Sequence, residues 1–328
     1  MEKTDRAKRL PRPLIRLRQR LNANAPAVLG SAVLRVLRVL LIVGICFVIL
    51  WPVIWLLHYT FITLADTRDL SIVYLPRHPT LDNLRVTFKY LDYPRSLLNT
   101  LLLVGSVSLL QLLSCNAVGY GLARFRFRGA KIMLLLVVFV LIVPPQTIMV
   151  PLYLHYRSLD LFGLMTLLRG SGGILDTYLP FWLQAATGFG IKNSLYILIF
   201  MQIYRGSPKE IEEAAMVDGA GVLTTYARIM MPGARAGMVT VFLFSFVWQW
   251  NDSYYVSMFL NDTRVLANQL ATLSETISVA AGSVNVDKMQ VLIYNNAGTF
   301  WCILPLIVLY CVLQRQFVES VERTGIVG

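Results

Sequence analysis

The sequence predicts an all-α, polytopic membrane protein with six transmembrane helices and a cytoplasmic helix-bend-helix between the fourth and fifth. Three observations predict it. More than half of the chain is apolar, at 56% of its 328 residues, and its mean hydropathy is +0.61. Six apolar stretches are each long enough, at about 1.5 Å of rise per residue, to cross a hydrocarbon core of about 30 Å. Finally, the formal charge of +12 is placed on one side of those stretches.

Taken in order, residues 1–38 form a basic cytoplasmic tail, with its Lys and Arg concentrated from Lys3 to Arg20. The first span, 39–58, reads VLLIVGICFVILWPVIWLLH and carries no Asp, Glu, Lys or Arg. It is longer than the apolar core of a cleavable signal, about 7 to 15 residues, so it is read as a retained span that Pro52 kinks. An external loop covers 59–98. Spans two to five follow at 99–122, 132–155, 178–204 and 233–258, with the bend element at 205–233 and an external loop at 259–290. The sixth span is 291–313, and 314–328 is a cytoplasmic tail. Pro144, Pro145 and Pro151 break the third span, because proline lacks the amide donor and clashes with the preceding turn. Glycines break the fourth, and the long stretch 169–190 leaves its start open.

Charge fixes the orientation. With the N-terminus in the cytoplasm, the inner segments 1–38, 123–131, 205–235 and 314–328 hold 20 Lys and Arg against 8 acidic residues. The ten basic and ten acidic residues elsewhere cancel. Short loops carry this signal best, and the turn after span two contains Arg124, Arg126, Arg128 and Lys131. A basic flank beside a first span is a topology signal attracted to anionic lipid, and nucleic acid is not expected as a partner.

Several chemistries are absent. His58, His78 and His155 stand apart without metal-ligand spacing, and no G-x-x-x-x-G-K-[ST] is present, so neither a metal, a cofactor nor a catalytic residue is expected. Cys46, Cys115, Cys302 and Cys311 fall within spans and read as small packing residues. Asp252 and Lys192 lie toward the outer ends of their spans and are read as interfacial charges, a reading favoured over the proton or ion relay that an ion-coupled carrier would need.

The most informative stretch is SPKEIEEAAMVDGAG, residues 207–221, which holds four of the eighteen acidic residues. Ser207 followed by Pro208 and Glu210 reads as a capping box, and Glu212 and Glu213 sit near the positive end of the helix dipole. Ile211, Ala214 and Ala215 make a slim apolar face, and the helix loses support at Gly219 and Gly221. A second helix over about 222–231 is stopped by Pro232 and Gly233. On composition alone a solvated connector is the better reading than a docking element.

The spacing Glu213-Ala214-Ala215, with Asp218-Gly219-Ala220, then Ile229 and Pro232, resembles the EAA signature of the integral-membrane subunits of ABC importers. The resemblance runs from about residue 99 onward and narrows to carbohydrate permeases similar to the smaller maltose-type subunit. NTLLLV, GYGLARFRFRGAK, VPPQTIMVPLY, FVWQWNDSYY and RQFVESVERTGIVG also carry it. Met231 replaces the family's usual Leu before the proline.

That resemblance implies a core permease domain over 99–290 and an ATPase-coupling loop that docks into a groove on a separate subunit. It implies partners: a second permease subunit as a heterodimer, two copies of a cytoplasmic ATPase, an external sugar-binding protein, and membrane lipid. The chain is then a transporter subunit of the bacterial cell membrane, multi-pass with both termini cytoplasmic, importing an oligosaccharide, with ATP hydrolysis on its partner. The alternatives are a permease for another solute, such as a peptide or glycerol-phosphate, or an ion-coupled carrier. Trp248, Gln249, Asp252 and Tyr255 are the candidate substrate path, since aromatic faces with amide and carboxylate partners suit a polyol. Trp248, Asp252 and Tyr255 would share one helical face. An outer aromatic belt explains the same residues equally well.

Overall fold

The structure, a computed structural model, describes residues 12–69, 71–72, 74–170, 173–190, 192–280 and 287–325, with side chains between 34 and 314 apart from 161, 168 and 169. Parts of the basic tail (1–11), the second external loop (281–286) and the C-terminal tail (326–328) lie outside the described residues. All regular structure among the described residues is helical. In chain order it comprises α1 (Arg12–Phe61), α2 (Asp82–Tyr90), α3 (Tyr93–Arg124), α4 (Ala130–Ile142), α5 (Pro145–Ser158), α6 (Leu164–Arg169), α7 (Leu179–Thr187) and α8 (Asn193–Gly206). Then come α9 (Glu210–Val217), α10 (Val222–Thr225), a π-helical turn (Tyr226–Met230), α11 (Met231–Gly233), α12 (Arg235–Trp250), α13 (Tyr254–Phe259), α14 (Leu266–Ala271), α15 (Leu273–Ala280) and α16 (Lys288–Gly325).

Among the described residues, three helices are continuous, long and apolar enough to cross a membrane: Leu34–Phe61, Tyr93–Arg124 and Lys288–Gln314. Two bent helix pairs are also long and apolar enough when each is taken together. α4 and α5 meet at 101°, and Val222–Gly233 meets α12 at 77°. The first bend follows from adjacent prolines: Pro144 has ψ 130 and interrupts the helix, and Pro145 begins the next one at a position where its missing amide costs nothing. The stretch expected as span four is split into α7 and α8 by residues 188–192, where Gly188 (φ 85) and Lys192 (φ 63) both adopt left-handed backbone. The fifth departs from expectation: α12 ends at Trp250 and α13 starts at Tyr254, so no single helix runs from 233 to 258.

The chain divides into two compact units, 1–58 and 59–328. In the first, Phe47, Trp51, Trp55 and His58 make tilted and edge-on ring contacts along one helix, with successive ring centroids 5.2, 5.7 and 5.5 Å apart. In the second, α3 is the spine, packing against α7, α8 and α12. Leu103, Val107, Leu112 and Cys115 are buried along it, interleaved with the buried polar residues Ser96, Thr100, Ser108, Gln111 and Asn116. Small residues let membrane helices approach closely. Gly119 shows why: a Cβ there would lie 2.5 Å from the Cβ of Phe200 on α8. α16 closes the other flank, where Tyr93 donates to the carbonyl of Trp301 at 3.1 Å and Trp250 Nε1 donates to that of Cys302 at 3.2 Å.

The segment after α1 is held by side chains. Asn83 Nδ2 donates to the carbonyls of Thr60 and Ile62 at 3.0 and 2.8 Å. The Asp66 carboxylate accepts the His78 amide at 2.9 Å and lies 3.1 Å from His78 Nδ1. These His78 hydrogen bonds, the backbone one foremost, hold Asp66 below its ordinary value of 3.8. Because the folded value is depressed, its contribution is present above the unfolded value and is lost as pH falls through the native one. Amide exchange over 62–80, corrected for intrinsic rates, should therefore accelerate on acidification through that range. Asp66→Asn should show at neutral pH what acid does to the wild type, with faster tryptic cleavage at Arg77; unchanged cleavage would remove the carboxylate from this role.

Candidate coupling element and translocation-path site

Residues 207–233 form a helix, a glycine bend and a second helix. The cap differs from the sequence expectation. Ser207 Oγ donates to the carbonyl of Ile203 at 3.1 Å and Ser207 makes no capping box; α9 begins after Lys209, without a side-chain cap. The serine is already committed to the end of α8, and its carbonyl accepts Arg124 Nη2 at 2.8 Å. The other end is well made. The Gly219 amide donates to Met216 and the Ala220 amide to Ala215, at 3.1 and 2.9 Å, which is the Schellman pattern, with Gly219 at φ 82 as its left-handed residue. A Cβ on Gly219 would meet open space, so the requirement for glycine there is one of backbone and not of room.

The inward face of α9 is not the one expected. Ile211 and Ala214 are exposed, whereas Glu212 and Ala215 are buried. Glu212 turns inward because Arg124, the last residue of α3, waits there: Nε lies 3.2 Å from Glu212 Oε1, and both side chains are almost fully shielded. Glu213 and Asp218 point outward, as do Met216, Val217 and Leu223. Ala220 is half-buried. In the second helix Ile229 is half-buried beside the buried Met230, and Pro232 is exposed just before the bend into α12. Tyr226 adds a further tie: its hydroxyl and that of Tyr204 both donate to Asn116 Oδ1, at 2.5 and 2.8 Å. In the sequence Arg124 carries only a topology signal, and Asn116 carries none. Their partners lie far along the chain, and no local signal marks them.

The aromatic and polar cluster is less unified than its spacing suggests. Because α12 ends at Trp250, Trp248, Asp252 and Tyr255 do not share one helical face. Trp248 is half-exposed, and Lys192 Nζ sits 4.7 Å from its ring centroid, a cation–π contact. Gln249, Asp252 and Tyr255 are buried. Asp252 is thus no interfacial charge in water: it is 9% exposed. Its Oδ1 accepts the Tyr255 amide at 3.1 Å, and its Oδ2 has no hydrogen-bond partner among the described residues. The Tyr255 hydroxyl reaches the carbonyl of Pro145 at 3.4 Å, at the break between α4 and α5.

Gln249 and Tyr255 line one narrow void with Gln111 and Gln184. Gln111 bonds in turn to Asn193 on α8 and Ser245 on α12. Tyr255 also borders a cavity of about 580 Å³ with Phe139, Leu152, His155, Gln184 and Lys192 among its walls. The space is mainly apolar, with amide, phenol and ammonium groups at its edge, a composition that suits a small organic ligand. Among the described residues no group of three His, Cys, Asp or Glu could hold a metal ion.

Comparison with known proteins accords with this geometry. The alpha-glucoside transport system permease protein AglG of Rhizobium meliloti (strain 1021) is 29% identical over 77% of this chain, which spans 62% of that protein's length. The melibiose/raffinose/stachyose import permease protein MelC of Bacillus subtilis (strain 168) is 27% identical over 71% of this chain and 76% of its own. A crystal structure of a bacterial ABC transporter involved in the import of the acidic polysaccharide alginate superposes with a TM-score of 0.68 at 19% identity, covering 88% of this chain and 98% of that one, and so shares the fold. Residues 116–323 match the family described as binding-protein-dependent transport system inner membrane component, and they include the helix-bend-helix 207–233, α8 and the Gln249–Tyr255 region. This polytopic chain therefore belongs to that family of multi-pass membrane transport components.

Proposed function

We propose that the chain is the transmembrane permease subunit of an ATP-driven, binding-protein-dependent importer of oligosaccharides. It would line the path while a separate ATPase hydrolyses ATP. The observation that carries this reading is the coupling element: Glu213 and the apolar Met216, Val217 and Leu223 face outward from a helix-bend-helix whose inner face is anchored. An exposed carboxylate among exposed apolar side chains is the surface that a docking protein with a basic rim and an apolar groove would fit. In this reading two ATPase copies, a second permease subunit and an external binding protein complete the assembly, and both termini are cytoplasmic. The sugar specificity is supported by the names of the relatives.

In the path, Trp248 offers an aromatic face, and Asp252 Oδ2 is an acceptor without a donor. A sugar hydroxyl supplies that donor, and a pyranose ring supplies the apolar face that stacks on an indole. Lys192 over Trp248 would be displaced by the sugar or would bridge to it.

Three outcomes test the proposal. In a cysteine-free background, Arg126→Cys and Val217→Cys should resist impermeant maleimide applied to intact cells and react in inside-out vesicles; labelling from outside would reverse the topology. Glu213→Ala should leave membrane abundance normal while the ATPase no longer co-purifies, a loss of about 2 to 5 kcal/mol if its charge pair is desolvated. Gly219→Val should weaken the same co-purification through backbone strain of about 1 to 2 kcal/mol; full retention in both would remove the docking role. Trp248→Ala and Asp252→Asn should each weaken uptake of radiolabelled melibiose or maltodextrin, whichever the wild type imports, by about 1 to 3 kcal/mol. Unchanged kinetics would return Trp248 to an aromatic belt.

A further inference from the structure

Both halves of the coupling element are fastened to a single stripe of α3. Asn116, Tyr120 and Arg124 are spaced i, i+4, i+8 and so lie on one face of that helix. Arg124 holds the first half: its guanidinium, 5% exposed, faces Glu212 of α9 at 3.2 Å and donates to the carbonyl of Ser207 at 2.8 Å. Asn116 holds the second half through the hydroxyl of Tyr226, and ties α8 through that of Tyr204. Tyr120 fills the space between. Its ring lies 4.8 Å from that of Tyr226, 5.2 Å from Tyr204 and 5.6 Å from Phe125.

The arrangement is costly to make and so informative. Removing a guanidinium and a carboxylate from water carries a desolvation penalty that a merely topological arginine, free to stay in solvent, would avoid. Arg126 and Arg128, in the same turn, are exposed. Only Arg124 is folded under the coupling element. Farther up the same helix, Gln111 is bonded to Asn193 and Ser245, beside the narrow void that Gln249 and Tyr255 line. One continuous helix thus connects the docking element to the polar seam of the path.

We infer that Asn116, Tyr120 and Arg124 are positioning residues that clamp the coupling element to α3, so that the two move as one rigid body and displacement of the docked loop is delivered to the polar seam. The inference rests on the permease reading for the identity of what docks, but the clamp itself belongs to this chain alone. Arg124→Lys is the discriminating variant. It keeps the positive charge, yet a compact ammonium cannot donate to the Ser207 carbonyl and face the Glu212 carboxylate at once, as the extended guanidinium does.

Two measurements test it. On purified permease, tryptic cleavage after Lys209, which is exposed at the start of α9, reports loosening of the loop. Arg124→Lys and Glu212→Gln should each be cleaved about tenfold faster than wild type, and Arg124→Met combined with Glu212→Met, which removes both charges, should recover most of the protection. If either single variant fails to accumulate, Tyr226→Phe, which deletes only a hydroxyl, should give a smaller acceleration. In the transporter assembled with its ATPase, spin labels at Glu210→Cys, exposed at the start of α9, and Leu113→Cys on α3 should keep one distance without nucleotide and after trapping with ATP and vanadate; in Arg124→Lys that distance should shift or broaden. Wild-type protection at Lys209 in all the variants, or a wild-type distance that changes between the two states, would overturn the clamp. Failure of the wild type to retain an ATPase would instead sink the docking reading, with the proteolysis result still deciding the clamp.

Discussion

A chain that crosses lipid must satisfy its backbone polar groups internally, and the rest of this structure depends on how it does so. Breaks in the helices leave backbone groups that need partners, and side chains of neighbouring elements supply some of them here. The carbonyl of Ala185, next to the gap between α7 and α8, accepts both Ser114 of α3 at 2.6 Å and Asn193 at 3.1 Å. At the gap between α4 and α5, the carbonyl of Pro145 is met by Tyr255. Asp176, at φ 58, accepts the Asn261 amide at 2.7 Å and donates its own amide to Phe259 at 2.8 Å, joining the segment before α7 to the end of α13. The unbroken α3 lies among the broken helices and supplies the polar side chains that make some of those breaks tolerable.

The same constraint explains the polar residues on α3. Ser96, Thr100, Gln111 and Asn116 are buried in a helix apolar enough to span a membrane. Each bonds to a neighbour or to its own preceding turn: Thr100 Oγ1, for instance, accepts the Leu266 amide at 2.9 Å. In lipid such groups hold helices together where apolar contact alone gives little preference over the surrounding chains. The Arg124–Glu212 pair extends these polar ties to the C-terminal end of α3, where it meets α9.

The all-helical, membrane-spanning character was legible in the sequence, because long apolar runs are a coarse property that survives any detail of packing. The helix-bend-helix was legible for a local reason: Gly219 and Pro232 act on their own turns, and the left-handed φ at Gly219 is what its spacing demanded. The direction of the α9 face was not. Glu212 and Glu213 are adjacent carboxylates with equal propensity, and which one is buried was decided by an arginine 88 positions earlier. The stop of α12 at Trp250 had a local signal in the polar, turn-prone Asn251-Asp252-Ser253 that follows it, but the apolar and aromatic run resumes at Tyr254 and reads as the same span. The burial of Asp252 by protein depends on that break and does not follow from its position along the span.

The close approach at Gly119 has a mechanical meaning. α3 and α8 meet there with no room for a methyl group, so that point resists sliding more than tilting. From Gly119 to Arg124 is about 7.5 Å along the axis, and from Gly119 to Tyr93 about 39 Å, at the usual helical rise. A helix that rocks about such a fulcrum is an unequal lever, with its short arm at the coupling element. A displacement of about one ångström at Arg124 would sweep the far end through about five, and the long arm is the one that passes the polar seam.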